Sequence, residues 1–132
     1  MVEPIWILLE VAEAVHRRQL AEHGGVSGTR EVGLLISALN RPLNTFQDAK
    51  GAVSIPKLAA IYAFGISKNH PFLDGNKRTS LVISLMFLRI NHWQNLSSQE
   101  ELLQVFTELS DGSMGEDDLI SWFESSSHSI PI

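Results

Sequence analysis

Cysteine is absent from this 132-residue chain. That removes a disulfide framework, a zinc knuckle and a thiol nucleophile at once, and it permits a reducing compartment. An excess of positive charge is missing too: ten lysines and arginines face fifteen acidic residues, for a formal net charge of -5. The basic residues are scattered apart from Arg17-Arg18 and Lys77-Arg78, so no direct nucleic-acid partner is expected. Long hydrophobic runs are also lacking. The apolar stretch Ile5 to Leu9 is far too short to span a bilayer, Glu10 and Glu13 interrupt its continuation, and Glu3 stands where a signal peptide would carry positive charge. No membrane association and a cytoplasmic location are expected. Neither an internal repeat nor a low-complexity linker divides the chain, and the length predicts one domain over residues 1–132.

What is present is helical periodicity. Leu8, Val11, Ala12, Val15 and Leu20 recur at helical spacing between about Ile5 and His23, and Gly24-Gly25 stops that helix. Thr29 is placed to cap a second helix through Val32, Leu35, Ile36 and Leu39, which Arg41-Pro42 is expected to end. Leu43 to Ser54 reads as a loop or a short hairpin. A third helix runs from Pro56 to about Lys68, with proline in its first turn. The fourth, from about Gly75 to Asn91, is apolar nearly all round, which predicts the middle of the core. Ser98 with Glu101, and Ser113 with Glu116, have capping-box spacing and open two more helices. The serine-rich tail from Ser125 is expected to fray. The predicted fold is an all-α helical bundle around one buried helix.

Chemistry concentrates between His70 and Arg78. A turn containing Gly75 feeds the start of the fourth helix, where unpaired N–H groups and the positive end of the helix dipole make an anion site. Asn76, Lys77 and Arg78 add side-chain donors in that first turn. Two cations at a helix N-terminus are locally unfavourable, a cost that a bound polyphosphate explains. Asp74 lies at the mouth of the same turn, where a carboxylate shares magnesium with phosphates. His70 supplies an imidazole able to take a proton from an attacking hydroxyl. Singly, each has an ordinary reading: Asp74 as a helix cap, Lys77 and Arg78 as solvated charges. The combination within nine residues is a base, a metal ligand and an anion cradle. The other histidines, His16, His23, His92 and His128, read as structural.

The run His70-Pro71-Phe72-Leu73-Asp74-Gly75-Asn76-Lys77-Arg78 resembles the signature of the Fic/Doc superfamily. The Fic branch typically reads HxFx(D/E)GNGRxxR and the Doc branch HxFx(D/A)xNKR. Lys77 replaces the second glycine of the Fic pattern and Leu81 its second arginine, and both departures resemble the Doc branch. The resemblance extends to His23-Gly24-Gly25, Gly28-Thr29-Arg30-Glu31 and Leu34 to Pro42.

The resemblance implies a Fic-type helical fold, with a flap within Asn44 to Ser54 that aligns a target peptide by β-augmentation. It implies a Doc-like toxin of a toxin–antitoxin system, using ATP and Mg2+ to move the γ-phosphate onto a serine or threonine of a translation factor, by analogy elongation factor Tu. In that scheme His70 is the general base and Asp74 the magnesium ligand. Gly75, Asn76, Lys77 and Arg78 hold phosphates, and Lys68 is an additional phosphate contact. A Phd-like antitoxin would supply control, because the self-inhibiting (S/T)xxxE(G/N) pattern fails at both Ser27–Glu31 and Ser97–Glu101: Val32 and Leu102 come after the glutamates. The alternatives are a Fic-type AMP transferase and a nucleotide- or antitoxin-binding module without turnover.

Overall fold

The computed structural model describes residues 2–131. Among them six helices form: α1 (Leu9–His23), α2 (Val32–Asp48), α3 (Ile55–Asn69), α4 (Asn76–Ile90), α5 (Gln99–Asp111) and α6 (Glu116–Ser126). Two short strands, β1 (Trp93–Asn95) and β2 (Ser127–Ser129), pair antiparallel with Gln94 opposite His128. The all-α expectation holds, and the expected frayed tail is instead the second strand. It is held further by the Ile130 N–H on the His92 carbonyl, at 2.7 Å.

The central helix is α3 and not, as the apolar pattern suggests, α4. Ala59, Ala60, Ala63 and Gly65 give α3 a slim surface, so α2, α4 and α6 all close on it. Larger α3 residues, Leu58, Tyr62 and Ile66, fill the remaining space and are fully buried. Tyr62 meets Phe87 of α4 with ring centroids 4.9 Å apart, each burial of this kind being worth roughly 1.5–3 kcal/mol. On α4, by contrast, Leu81, Val82 and Leu85 stay only half-buried, because one flank of that helix faces a groove.

Pro42 does not end α2; it lies inside it. The missing proline N–H frees a carbonyl one turn earlier, but the helix is held by its packing. Gly65 of α3 approaches so closely that a Cβ there would stand 3.3 Å from Ala38 Cβ. The expected flap is absent: Asn44 to Asp48 continue α2, and Ala49 to Ser54 form a turn through Lys50 and Gly51 at positive φ. Thr29 does not cap α2 either, since it pairs as an isolated bridge with Phe72. Ser98 caps α5 as expected, accepting from the Glu101 N–H at 3.1 Å. Ser113 does not cap α6, whose N-cap is Gly115; its hydroxyl bonds the Asp111 carboxylate instead.

Before α1 the chain is not helical from Val2 to Leu8, and Leu8 itself is extended. Its backbone is tied to the core by Asn91, which exchanges two hydrogen bonds with Ile5, and by Tyr62, whose hydroxyl accepts the Ile7 N–H at 3.0 Å. No helix among the described residues is long and apolar enough to cross a membrane.

Candidate active site

The motif loop is built by three neighbours. From α3, His70 adopts a left-handed conformation (φ 52°, ψ 55°) as the C-cap, a strained geometry for a non-glycine residue. Arg30 holds it there: its Nε donates to the His70 carbonyl at 3.0 Å and its Nη2 to the Asn69 carbonyl at 2.9 Å. The segment around Thr29 then runs antiparallel to the loop. The Arg30 N–H donates to Pro71 O at 2.7 Å, and the Leu73 N–H to Gly28 O at 3.1 Å. The loop is thus a paired strand edge on one side.

From α4, Asn76 turns its side chain back under the loop. Its Oδ1 accepts the Phe72 N–H at 3.0 Å and its Nδ2 donates to the Phe72 carbonyl at 2.9 Å. The amide is buried and both its polar ends are used. Asn76 therefore reaches the cavity through its backbone while its side chain braces the turn. Gly75 at φ 82° caps α4, a backbone conformation that favours glycine.

From α1, His16 and Leu20 press against the same turn. The glycine pair past α1 does so too. Gly25 lies so close to Asp74 that an added Cβ would stand 2.8 Å from Asp74 Oδ2. That oxygen accepts the Val26 N–H at 3.1 Å, and Oδ1 accepts the Gly75 N–H at 2.8 Å. One backbone donor on each oxygen orients the carboxylate and leaves further lone pairs open.

These elements enclose a cavity of about 450 Å³ lined by His70, Asp74, Gly75, Asn76, Lys77 and Arg78, with Gly24, Gly25, Ser67 and Ser110 opposite or beside them. Six of the seven candidate residues thus meet at one place. Lys68 does not: it lies off the cavity, its ammonium 5.8 Å from the centroid of the Phe64 ring. The reason is helical geometry. Two residues before His70, Lys68 is turned about 200° round the helix, whereas Ser67, three before, shares the His70 face. Lys77 bonds Thr107 Oγ1 of α5 at 3.2 Å, so its stem bridges α4 and α5. Arg78 is exposed and makes no hydrogen bond or ion pair among the described residues. Its guanidinium is available to an anion.

The family model for the Fic/DOC family matches residues 6–88, which spans α1 to α4 and the whole motif loop. The chain belongs to the Fic/DOC family. Among curated proteins it is 38% identical over 71 residues to "Toxin Doc" of Mycolicibacterium smegmatis, a match covering 52% of each chain. It is 29% identical over 87 residues to "Protein kinase doc" of Escherichia phage P1, covering 66% of this chain and 68% of that one. The chain thus spans about half the length of the mycobacterial relative.

Within this Fic/DOC domain no carboxylate is bonded to Arg78 among the described residues. Glu101 spends its Oε2 on the Ser97 hydroxyl and the Trp122 indole N–H. Several contributors to the site carry no motif signal of their own: Gln19, Ser110 and the buried His16. Arg30 lies in a segment that shares the family resemblance, which does not say what its guanidinium holds. His16 falls four residues after Ala12 on the buried stripe of α1, a spacing that marks it as inward-facing without saying what it touches.

Proposed function

We propose that this domain is a Doc-like toxin that transfers the γ-phosphate of ATP to a serine or threonine hydroxyl of a translation factor, elongation factor Tu by analogy, in the bacterial cytoplasm. The observation that carries this reading is one cavity wall. His70, Asp74, Lys77 and Arg78 all face a space of about 450 Å³ at the N-terminus of α4. The backbone N–H groups of the first turn of α4, with Lys77 and Arg78, hold phosphate oxygens. His70 removes the hydroxyl proton as the new O–P bond forms and the bond from the γ-phosphorus to the ADP oxygen breaks.

The donor set suits Mg2+ arriving with the nucleotide. Among the described residues no group of three or more His, Asp or Glu side chains gathers to cage a metal, and one oriented carboxylate beside phosphates is the usual magnesium arrangement. Asp74 would hold the ion. When bound, it offsets phosphate charge and helps the leaving group depart.

Phosphate transfer is favoured over AMP transfer by Lys77, whose stem fills the space between α4 and α5 that a glycine would leave open. The name "Protein kinase doc" of the phage relative points the same way. Purified protein, Mg2+ and a bacterial lysate are incubated with ATP labelled at the α or the γ position. Label from the γ position alone on a protein is the expected result. Label from the α position would replace this reading with AMP transfer. A His70→Ala variant that binds ATP and arrests growth like the parent would replace it with a binding module.

The control partner we propose is a Phd-like antitoxin. An apolar groove of about 540 Å³ runs beside the site between α4 (Leu81, Val82, Leu85) and α5 (Leu102, Leu103, Phe106), and it shares Lys77 and Arg78 with the nucleotide cavity. An amphipathic segment seated there would cover the half-buried flank of α4. Leu103→Glu should then escape neutralisation while keeping transferase activity.

A further inference from the structure

His16 sits outside the motif, yet its environment is the most constrained of any histidine here. It is 4% exposed. Its ring stacks on Phe72 with centroids 3.7 Å apart and planes 6° from parallel. Phe72 is itself fully buried and its backbone is clamped by Asn76, so the plane of the imidazole is fixed. Nε2 lies 2.8 Å from the Asp74 carbonyl oxygen. A carbonyl can only accept, so Nε2 carries the proton.

This bond acts on a single peptide group. In a trans peptide the C=O and the following N–H point in opposite directions. Drawing the Asp74 carbonyl towards α1 therefore turns the Gly75 N–H the other way. There it meets Asp74 Oδ1 at 2.8 Å. The His16 proton thus sets the plane of the Asp74–Gly75 peptide, and that plane sets the carboxylate. Gly75 supplies the positive φ of 82° that this turn adopts, a conformation that favours glycine.

We propose that His16 is a positioning residue for the transfer reaction, holding the Asp74 carboxylate in place through the Asp74–Gly75 peptide. The inference rests on the phosphate-transfer reading of the site. It separates two jobs of one ring: stacking on Phe72, which is structural, and donation from Nε2, which orients the site. His16→Phe keeps the stack and deletes the donor; His16→Gln restores a donor near Nε2 and gives up the aromatic stack.

The test compares kcat and KM for MgATP in parent, His16→Phe and His16→Gln, each measured on protein shown to be folded by circular dichroism. A misplaced catalytic group costs on the order of 10- to 100-fold, so His16→Phe should lose that much in kcat with a smaller change in KM. His16→Gln should recover most of the loss despite lower thermal stability. Parental kcat in folded His16→Phe, or a Gln variant no better than Phe, overturns the proposal. If His16→Phe does not fold, nitrogen-15 NMR of the parent decides. The Nε2-protonated tautomer with a protected Gly75 amide supports it, and an Nδ1-protonated ring overturns it. A parent that transfers no phosphate defeats the phosphate-transfer reading instead, and leaves this NMR result to judge the His16 contact.

Discussion

Replacing Asn76 with alanine removes the partners of both backbone polar groups of the buried Phe72. Phe72 would keep its side chain in the core while its N–H and C=O, now held at 3.0 and 2.9 Å, lose their bonds. Each stranded buried group costs about 1–3 kcal/mol, and partial entry of water at the loop reduces the sum to roughly 2–4 kcal/mol. That is a large share of the ~5–15 kcal/mol expected for a domain of this kind. With a urea dependence of about 1–3 kcal/mol per molar, the unfolding midpoint should fall by roughly 1–2 M, read from the fluorescence of the three tryptophans. Asn76→Asp should fare no better, because it sets a carboxylate oxygen against the Phe72 carbonyl. Saturating MgATP should restore part of the stability to either variant by mass action. An Asn76→Ala protein with the parental midpoint and a lost affinity for nucleotide would overturn this expectation. That result would make the side chain a phosphate ligand, as the family resemblance implies, and not the brace under Phe72.

Three further outcomes are expected. Gly25→Ala places a methyl group 2.8 Å from Asp74 Oδ2 and 2.9 Å from Leu20 Cδ2. Both are side-chain ends that can move, but Gly25 also lies at φ 128°, where an L side chain is strained. Calorimetry should find destabilisation of about 2–4 kcal/mol, while magnesium-dependent ATP binding is lost because the carboxylate has moved. Arg78→Ala breaks no internal bond, so its stability should stay within about 0.5 kcal/mol of the parent. Its ATP affinity should fall by roughly 10- to 100-fold, the worth of a charge-assisted phosphate contact; parental affinity by titration calorimetry would put the phosphates elsewhere. Tyr62, the single tyrosine, has its hydroxyl pushed up to about 12 by burial. A raised pKa favours the protonated form in the folded state, so this stability is intact below pH 10 and is lost as pH rises towards 12. The loss should approach about 2 kcal/mol at the upper end. Phenolate absorbance reads the titration directly, and Tyr62→Phe should lack that part of the alkaline loss.

The helices and the site are legible in the sequence to different depths. Periodicity locates the helical segments because burying one stripe of a helix imposes its own spacing on the residues, whatever the stripe packs against. The candidate anion site is legible because a helix N-terminus, a glycine turn and clustered donors are neighbours in the chain, so nine consecutive residues contain much of their own geometry. For the same reason Lys68 misleads: proximity in sequence to His70 is not proximity round a helix, and a two-residue offset sends it away from the cavity.

Tertiary contact decided the rest. Continuation of α2 through Pro42 depends on how closely Gly65 approaches Ala38 from another helix. The choice of α3 over α4 as the central helix depends on small residues that invite three neighbours rather than on total hydrophobicity. Thr29 reads as a local cap, but the hydrogen-bonding edge of the motif loop takes the surrounding backbone for itself. The helical segments and a glycine turn feeding a helix N-terminus with clustered donors are readable from the residues alone, because those properties are local. The folded chain shows that Asn76 braces that turn, that Arg30 bonds the carbonyl of His70 in its left-handed conformation, and that His16 meets the Asp74 carbonyl. The Arg30 and His16 bonds join residues 40 and 58 positions apart, brought together by packing; the Asn76 bonds reach back only four residues, and it is burial of the turn that points the amide inward.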